Sequence, residues 1–517
     1  MVVSQGIPTD PMRRRSTGWI VCALVGALVL LSRARSIATG FELNLDESHL
    51  AAQALRYGVD PIPWRSVDGE TSGPISAWLL AGLHWVGVPL HYPILHALAA
   101  LLLTGSVVLL FWAARAMAGP RSAALAALAA AVWLACDVDP DFVHYSTEVV
   151  PVALLCAALT AGWALGRPTL AAVLLGIVPW TKLQAAPIAF VLGLWLVGRA
   201  LAPISQSAGA GRNWTAAVRL AGVASLPSAA LLALIAGGGA LQGFWISYFE
   251  INRYYAGAFG PAIFGERLGR LLIMKPLSPW LTPVLLSALL ALGLRRKSWS
   301  LSALRGTPGL IAAMTLVSLY VSIRPGNDFD HYELLLIPAL GLLTAATAHG
   351  LGLDRPPTGR RPFLLAWTIV IPLVCATYLG DAVRRARRGY PLPEDGLIAK
   401  VLAEVQRLAP GPHTYAYWGW GPSIYVLTNT VPPTRHSHAY LMTAKSPDRE
   451  FMRANFMEDL VRNPTDIFLD LYPTGMGMTP LSDFPQLDAY VSAHFRRIGG
   501  FDTIRGPVVI YARTPPE

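Results

Sequence analysis

The residues with the clearest chemical potential in this 517-residue chain are Asn44-Leu45-Asp46-Glu47-Ser48-His49. They follow an apolar run by about ten residues and precede the helical pattern Ala51–Tyr57. A carboxylate pair at a membrane surface can act as general base toward an acceptor hydroxyl, or hold a cation. Acids in a helix's first turn also complement its dipole, so capping is the competing role.

A second acidic group is Asp137-Val138-Asp139-Pro140-Asp141, followed by His144 and Glu148. Alternating carboxylates can ligate Mg²⁺ or Mn²⁺, which makes Asp139, Asp141 and Glu148 candidate ligands. Pro140 works against a regular cage, and solvated loop acids are the plainer alternative. Glu148, beside Tyr145-Ser146-Thr147 at the mouth of an apolar run, is the member best suited to a site, with His144 near it as part of an acceptor or second acidic site. Among cations, Lys182 lies in the Trp180-Thr181-Lys182-Leu183 turn between two short apolar runs. A lysine facing lipid would cost about 2.5–3.5 kcal/mol, so Lys182 needs an anion or must snorkel to the headgroups. His331-Tyr332, with Arg324 seven residues earlier, and Arg253-Tyr254-Tyr255 could meet a phosphate or serve as polar caps and interfacial aromatics. Gly237-Gly238-Gly239 follows an apolar helix and suits a span terminator. His413, His436, His438 and His494 have no zinc spacing.

What must position these residues is a membrane bundle. Charged residues are 14% of the chain and hydrophobic residues 54%, against about 25% charged for soluble domains. Eleven apolar runs can be drawn as spans, near 18–34, 93–114, 121–136, 147–165, 169–182, 184–200, 214–236, 279–294, 307–323, 332–350 and 362–380. The net charge of +10 does not mark a nucleic-acid partner. The tail from Asp381 is nearly neutral, with 15 Lys/Arg against 14 Asp/Glu. The excess sits in short connections within the first 380 residues, at 26 against 17, where it sets orientation. Basic clusters such as Arg13-Arg14-Arg15 and Arg295-Arg296-Lys297 fall on one side of this arrangement, and the acidic loops fall on the other. The positive-inside rule then puts residues 1–17 in the cytoplasm, the spans in 18–380 and the tail 381–517 outside. Cys22, Cys136, Cys156 and Cys375 form no disulfide framework or metal spacing.

The first outer loop, 36–92, is rich in Pro and Trp, and its Pro74–Val86 stretch reads as an interfacial amphipathic helix. A second outer stretch, 237–278, carries Phe244-Trp245-Ile246-Ser247-Tyr248-Phe249, aromatics suited to the headgroup belt. The tail reads as soluble α/β, with helices near 393–409, 447–462 and 484–494 and strands near Thr414–Trp418, Asp466–Leu471, Arg496–Phe501 and Val508–Ala512.

A first span, an Asp-Glu pair and an Ala/Leu-rich helix ending in Tyr57-Gly58 resemble the integral membrane glycosyltransferases of the GT-C superfold. The branch most similar includes the protein mannosyltransferases and the lipid A aminoarabinose transferase. Gly73-Pro74-Ile75-Ser76, Thr181-Lys182-Leu183-Gln184, Phe329-Asp330-His331-Tyr332-Glu333 and Trp418-Gly419-Trp420-Gly421-Pro422 resemble further segments of that branch, in the same order. The resemblance implies a mainly α, polytopic bundle with an extracytoplasmic α/β domain. It implies Asp46 as catalytic base with Glu47 beside it, and a polyprenyl-phosphate sugar as donor. Lys182, His331, Tyr332, Arg324 and Arg253 would then meet the donor phosphate. Transfer would go with inversion to a glycan, lipid or protein acceptor, with membrane lipids around it and no divalent cation strictly required. The rivals are a secondary transporter or lipid flippase, and a non-catalytic relative that binds lipid-linked sugar. Transporter coupling sites lie near the bilayer midplane, whereas these acids lie at loop ends.

Overall fold

The computed structural model describes residues 11–515 apart from 138, 202–212, 258–259, 295–305, 355–395, 444–445, 447 and 473–477. The run near 362–380, the Arg295-Arg296-Lys297 cluster and the junction at Asp381 lie outside the described residues. The other ten apolar runs all coincide with helix. Among the described residues, five helices are long and apolar enough to cross a membrane: Thr17–Ile37, Tyr92–Met117, Leu183–Leu201, Trp214–Gly237 and Asp330–Gly350. A sixth crossing is formed if Pro261–Ile273 and Ser278–Leu292, bent by 100° at their break, count as one span. Shorter apolar helices occupy Pro120–Cys136, Val149–Ala164, Pro168–Trp180 and Thr307–Ile323. The chain is a polytopic membrane protein.

Helix α1 (Pro11–Ile37) packs on Tyr92–Met117 and Pro120–Cys136. Small residues make the close approach possible: Ala123, Ala126, Ala127, Ala130 and Ala131 form a fully buried stripe on Pro120–Cys136. At the end of α1 the wholly buried Arg33 donates to the Phe142 and Leu134 carbonyls, at 2.6 and 3.2 Å. The second acidic loop is thereby tied to the foot of the first span.

Helix α2 (Leu45–Tyr57) follows, and Asn44 is its N-cap, its side-chain oxygen accepting from Asp46 N at 3.0 Å. Helix α3 (Pro74–Trp85) packs on α2 through Ser76, Ala77, Leu80 and Ala81. Between them Gly73 passes so close to the Trp180 carbonyl that a Cβ would overlap it. That approach lets Gly73 N donate to Thr181 O at 3.0 Å and pairs Ser72 with Lys182 in an isolated bridge. The aromatic stretch 244–249 divides its work. Trp245 and Phe249 are exposed, as a headgroup belt requires, but Phe244 and Tyr248 turn inward onto Trp64 and Trp180.

The tail forms a four-stranded sheet in the order β1-β2-β4-β3, with β1 (Tyr415–Gly419) parallel to β2 (Ile467–Leu471), and with β4 (Gly506–Arg513) antiparallel to both β2 and β3 (Phe495–Thr503). Helices Leu397–Leu408, Arg449–Arg462 and Pro485–His494 accompany it. The domain rests on the segment that follows the first span: Asp68 N donates to Arg435 O at 2.8 Å, and Arg56 donates to Pro432 O at 3.2 Å.

Candidate active site

The adjacent acids of the loop after the first span part company. Glu47 takes two structural duties. Its Oε1 accepts from Leu43 N at 2.6 Å, and its Oε2 lies 3.0 Å from His96 Nε2, with neither side chain exposed. Asn44 has the cap and Glu47 folds back beneath it, so Asp46 is released from helix duty and points outward. The two acids that adjacency pairs in the sequence are therefore held apart, and the Glu47 carboxylate faces the bundle.

Around Asp46 three other segments converge. His331 Nε2 lies 3.9 Å from Asp46 Oδ2 and 3.9 Å from Glu148 Oε1. Its Nδ1 lies 3.3 Å from Asp141 Oδ2. Asp141 is the hinge pin of the site, since it also accepts from Asn44 Nδ2 at 2.7 Å and from Asp330 N at 3.2 Å. Burial pushes its carboxyl up, but the bond and charge of His331, His144 and the Asp330 N–H outweigh burial and hold it below the usual carboxylate range. Asp139 Oδ1 accepts from Asp141 N at 3.0 Å and caps the short helix Pro140–Val143.

Lys182 does not snorkel. It is 7% exposed, and its ammonium donates to Glu148 and, at 2.7 Å, to Thr147 Oγ1. It also sits 4.9 Å above the Tyr332 ring. The fully buried Glu148 is therefore the counter-ion of Lys182. Sequence placed Asp139, Asp141 and Glu148 as the metal set; these duties redirect them. The donors that do converge are Asp46, His144 and His331, whose ligand atoms lie within 4.8 Å of one another. His144 Nδ1 faces the Pro140 carbonyl at 2.7 Å, which fixes the tautomer and leaves a buried Nε2 without a hydrogen-bond partner among the described residues. An imidazole so prepared fits a divalent cation, and these three side chains are the ones that would hold it.

Next to this centre lies a cleft of about 320 Å³ lined by Thr71, Lys182, Arg253, Tyr255, Arg324 and Tyr332 among others. Arg324 donates to Ala256 O at 2.7 Å. Tyr255 and Tyr332 hydroxyls meet at 3.3 Å, and Asn327 donates to Tyr255 at 2.9 Å. Pro187, Tyr320, Val321 and Phe249 complete an apolar wall. Every sequence-selected residue except Glu47 and Asp139 thus reaches the centre or its cleft. Tyr255 was legible beside Arg253, whereas Thr71 carried no signal, because no spacing shows that its loop reaches this cleft.

No protein-family model and no curated protein sequence matches the chain. In structure it is similar to ArnT from Cupriavidus metallidurans bound to undecaprenyl phosphate, with 14% identity, a TM-score of 0.59 and coverage of 96% of this chain and 98% of that one. It is also similar to the archaeal oligosaccharyltransferase AglB from Archaeoglobus fulgidus in complex with an inhibitory peptide and a dolichol-phosphate, with 12% identity, a TM-score of 0.47 and coverage of 97% and 75%. The likeness to ArnT shows that the chain has the GT-C fold.

Proposed function

We propose that the protein is a membrane glycosyltransferase that moves a sugar from a polyprenyl-phosphate donor to an acceptor hydroxyl at the membrane surface. The observation that carries this reading is the placement of Asp46, freed from capping, beside a cleft that is cationic at one end and apolar along its wall. The donor phosphate would sit against Lys182, Arg253 and Arg324, with its chain along the apolar wall. Asp46 would accept the acceptor's proton as the oxygen attacks the anomeric carbon. Attack opposite the leaving phosphate inverts that carbon, and the cations stabilise charge as the C–O bond breaks. His331, between Asp46, Asp141 and Glu148, would hold the base in place. A divalent cation at Asp46, His144 and His331 would supply Lewis acidity there; transfer is proposed not to depend on it. The N-terminus would lie in the cytoplasm and the site on the outer face. That ArnT was solved bound to undecaprenyl phosphate supports the donor class.

The test is purified protein in nanodiscs assayed against a panel of polyprenyl-phosphate sugars. The expected result is sugar transfer or donor hydrolysis with an inverted anomeric product. No turnover of any monophosphate donor, together with ion-driven solute uptake into liposomes, would replace this reading by the transporter one. A cysteine placed at exposed Val59 should react with an impermeant reagent in intact cells.

A further inference from the structure

One end of the bundle lies under the C-terminal domain, where the Ser437 hydroxyl meets His49 Nδ1 at 2.5 Å. The other end holds a cavity of about 490 Å³, larger than the cleft beside Asp46. Helix Pro168–Ile177 and the turn Val178–Trp180 lead away from it to Lys182, and helix Ala186–Leu201 leads back. These 10 and 3 residues rise by about 20 Å, so cavity and cleft lie at opposite ends of the same helices. Leu165, Leu194 and Trp214, which lie between or beside lining residues in the chain, are all more than half exposed. Apolar exposure of that kind, with a Trp at the start of a span, marks a lipid-facing surface at the headgroup level.

The lining carries two guanidiniums, Arg199 and Arg219, and among the described residues no acid. The Arg199 guanidinium carbon sits 4.9 Å above the Trp195 ring, and Trp195 stacks in turn on Trp163, with centroids 4.2 Å apart and planes at 18°. Stacking fixes the guanidinium in place, and the N–H groups at its edge can still meet an anion. Trp163 belongs to a π-helical turn, Thr160–Ala164, an irregularity that recurs at functional sites. The same turn places Gly162 in the cavity wall. Arg199 stands in the last turn of its helix, where a cation complements the dipole. Arg219 has no such reason, since it stands in the second turn from the N-terminus of Trp214–Gly237, toward the positive end. Pro168–Ile177 also starts at the cavity, through Pro168 and Thr169. Two helix N-termini and two guanidiniums around one space make a positive potential that an anion relieves.

We propose that this cavity binds the phosphate headgroup of an anionic bilayer lipid between Arg199 and Arg219. The guanidiniums take the phosphate oxygens as paired donors. Leu196 and Leu220 in the wall meet the first methylenes, and the acyl chains continue onto the exposed apolar faces outside. A free anion would leave those faces unused. The inference does not depend on the transferase reading. The test is native mass spectrometry of the delipidated full chain in detergent, titrated with phosphatidylglycerol or with phosphatidylcholine of the same acyl chains. Undecaprenyl phosphate is left out because it would also enter the cleft beside Asp46. The first phosphatidylglycerol should bind clearly tighter than phosphatidylcholine, and Arg199→Gln with Arg219→Gln should weaken it by about tenfold. Arg167 is exposed at the same end but does not line the cavity, so Arg167→Gln should leave binding near wild type. Excess inorganic phosphate should not displace the lipid. Equal binding of the two lipids, or an equal loss with Arg167→Gln, would overturn the proposal in favour of general basic charge. Displacement by inorganic phosphate would overturn it in favour of a free anion. If the double variant does not elute like wild type, Arg219→Gln alone decides, with a loss of about threefold expected and no change counting against the site.

Discussion

Asp46 and Asp354 occupy opposite ends of the same bundle and have opposite fates. Asp354 lies at the start of Pro120–Cys136, whose other end leads into the Asp137–Asp141 loop, about 25 Å away at 1.5 Å per residue. Its carboxylate is fully engaged. Oδ1 accepts from Arg121 N at 2.9 Å, and Oδ2 takes the Ser122 hydroxyl and lies 3.3 Å from His349 Nδ1. Gly119, at φ +128, leaves room for it, since a Cβ there would stand 2.7 Å from the carboxyl carbon. Burial raises the Asp354 carboxyl, but these donors outweigh it and hold the group below its ordinary range. Among the described residues Asp46 has no such set of donors, because Asn44 and Glu47 do the helix's work. A first-turn acid becomes available for chemistry only when its neighbours discharge the capping.

The largest expected effect tests that contrast directly. Asp46→Asn should cut transfer by 10²–10⁴-fold with little loss of stability, whereas Asp354→Asn should leave turnover near wild type. Near-normal turnover of Asp46→Asn would remove Asp46 from the role of base. Next, Lys182→Ala strands the fully buried Glu148 and should destabilise the protein by about 3–5 kcal/mol, read as a fall in melting temperature. Lys182→Arg should retain part of both stability and donor affinity. Acid provides a third test. Burial lowers His49 to about 4, with Asp46 and Asp68 opposing the shift. The unfolded chain then binds protons that the folded one refuses, so stability is full above about pH 6.5 and falls toward pH 4. The loss attributable to His49 is about 3 kcal/mol at most, and His49→Gln should flatten the melting-temperature profile over that window. Asp354→Asn should cost a smaller 1–2 kcal/mol, roughly that of one charge-assisted bond set. EDTA is expected to change turnover least. Activity lost to EDTA and restored by Mn²⁺ would assign Asp46, His144 and His331 as ligands.

The helices were legible because apolar length is a one-dimensional signal. Every described apolar run became helix, and the tail's four strands appear within about three residues of their patterns. Lys182 was legible as a charge too costly to leave unpaired in lipid, and His331 as a polar residue at the end of an apolar run. What spacing cannot encode is which partner an acid takes. Glu47 was paired with Asp46 by adjacency, yet His96, nearly fifty positions away, claims it. Glu148 was read with Asp139 and Asp141, and Lys182 claims it instead. The tail histidines lacked metal spacing, but His436 and His438 are buried against Asp68 and Glu70 of the first loop. Their meaning depends on a contact between chain ends.

The Ser437–His49 contact joins residues 388 positions apart, and that separation sets a clock. A ribosome working at 5–20 residues per second needs roughly 20 to 80 s to travel from one partner to the other. The helix bearing Asp46 is therefore made, inserted and left waiting long before the segment that braces it exists. A nascent or prematurely terminated product would hold its reactive carboxylate on an unbraced helix. Completion of the polypeptide thus supplies the last contact of the helix that carries Asp46.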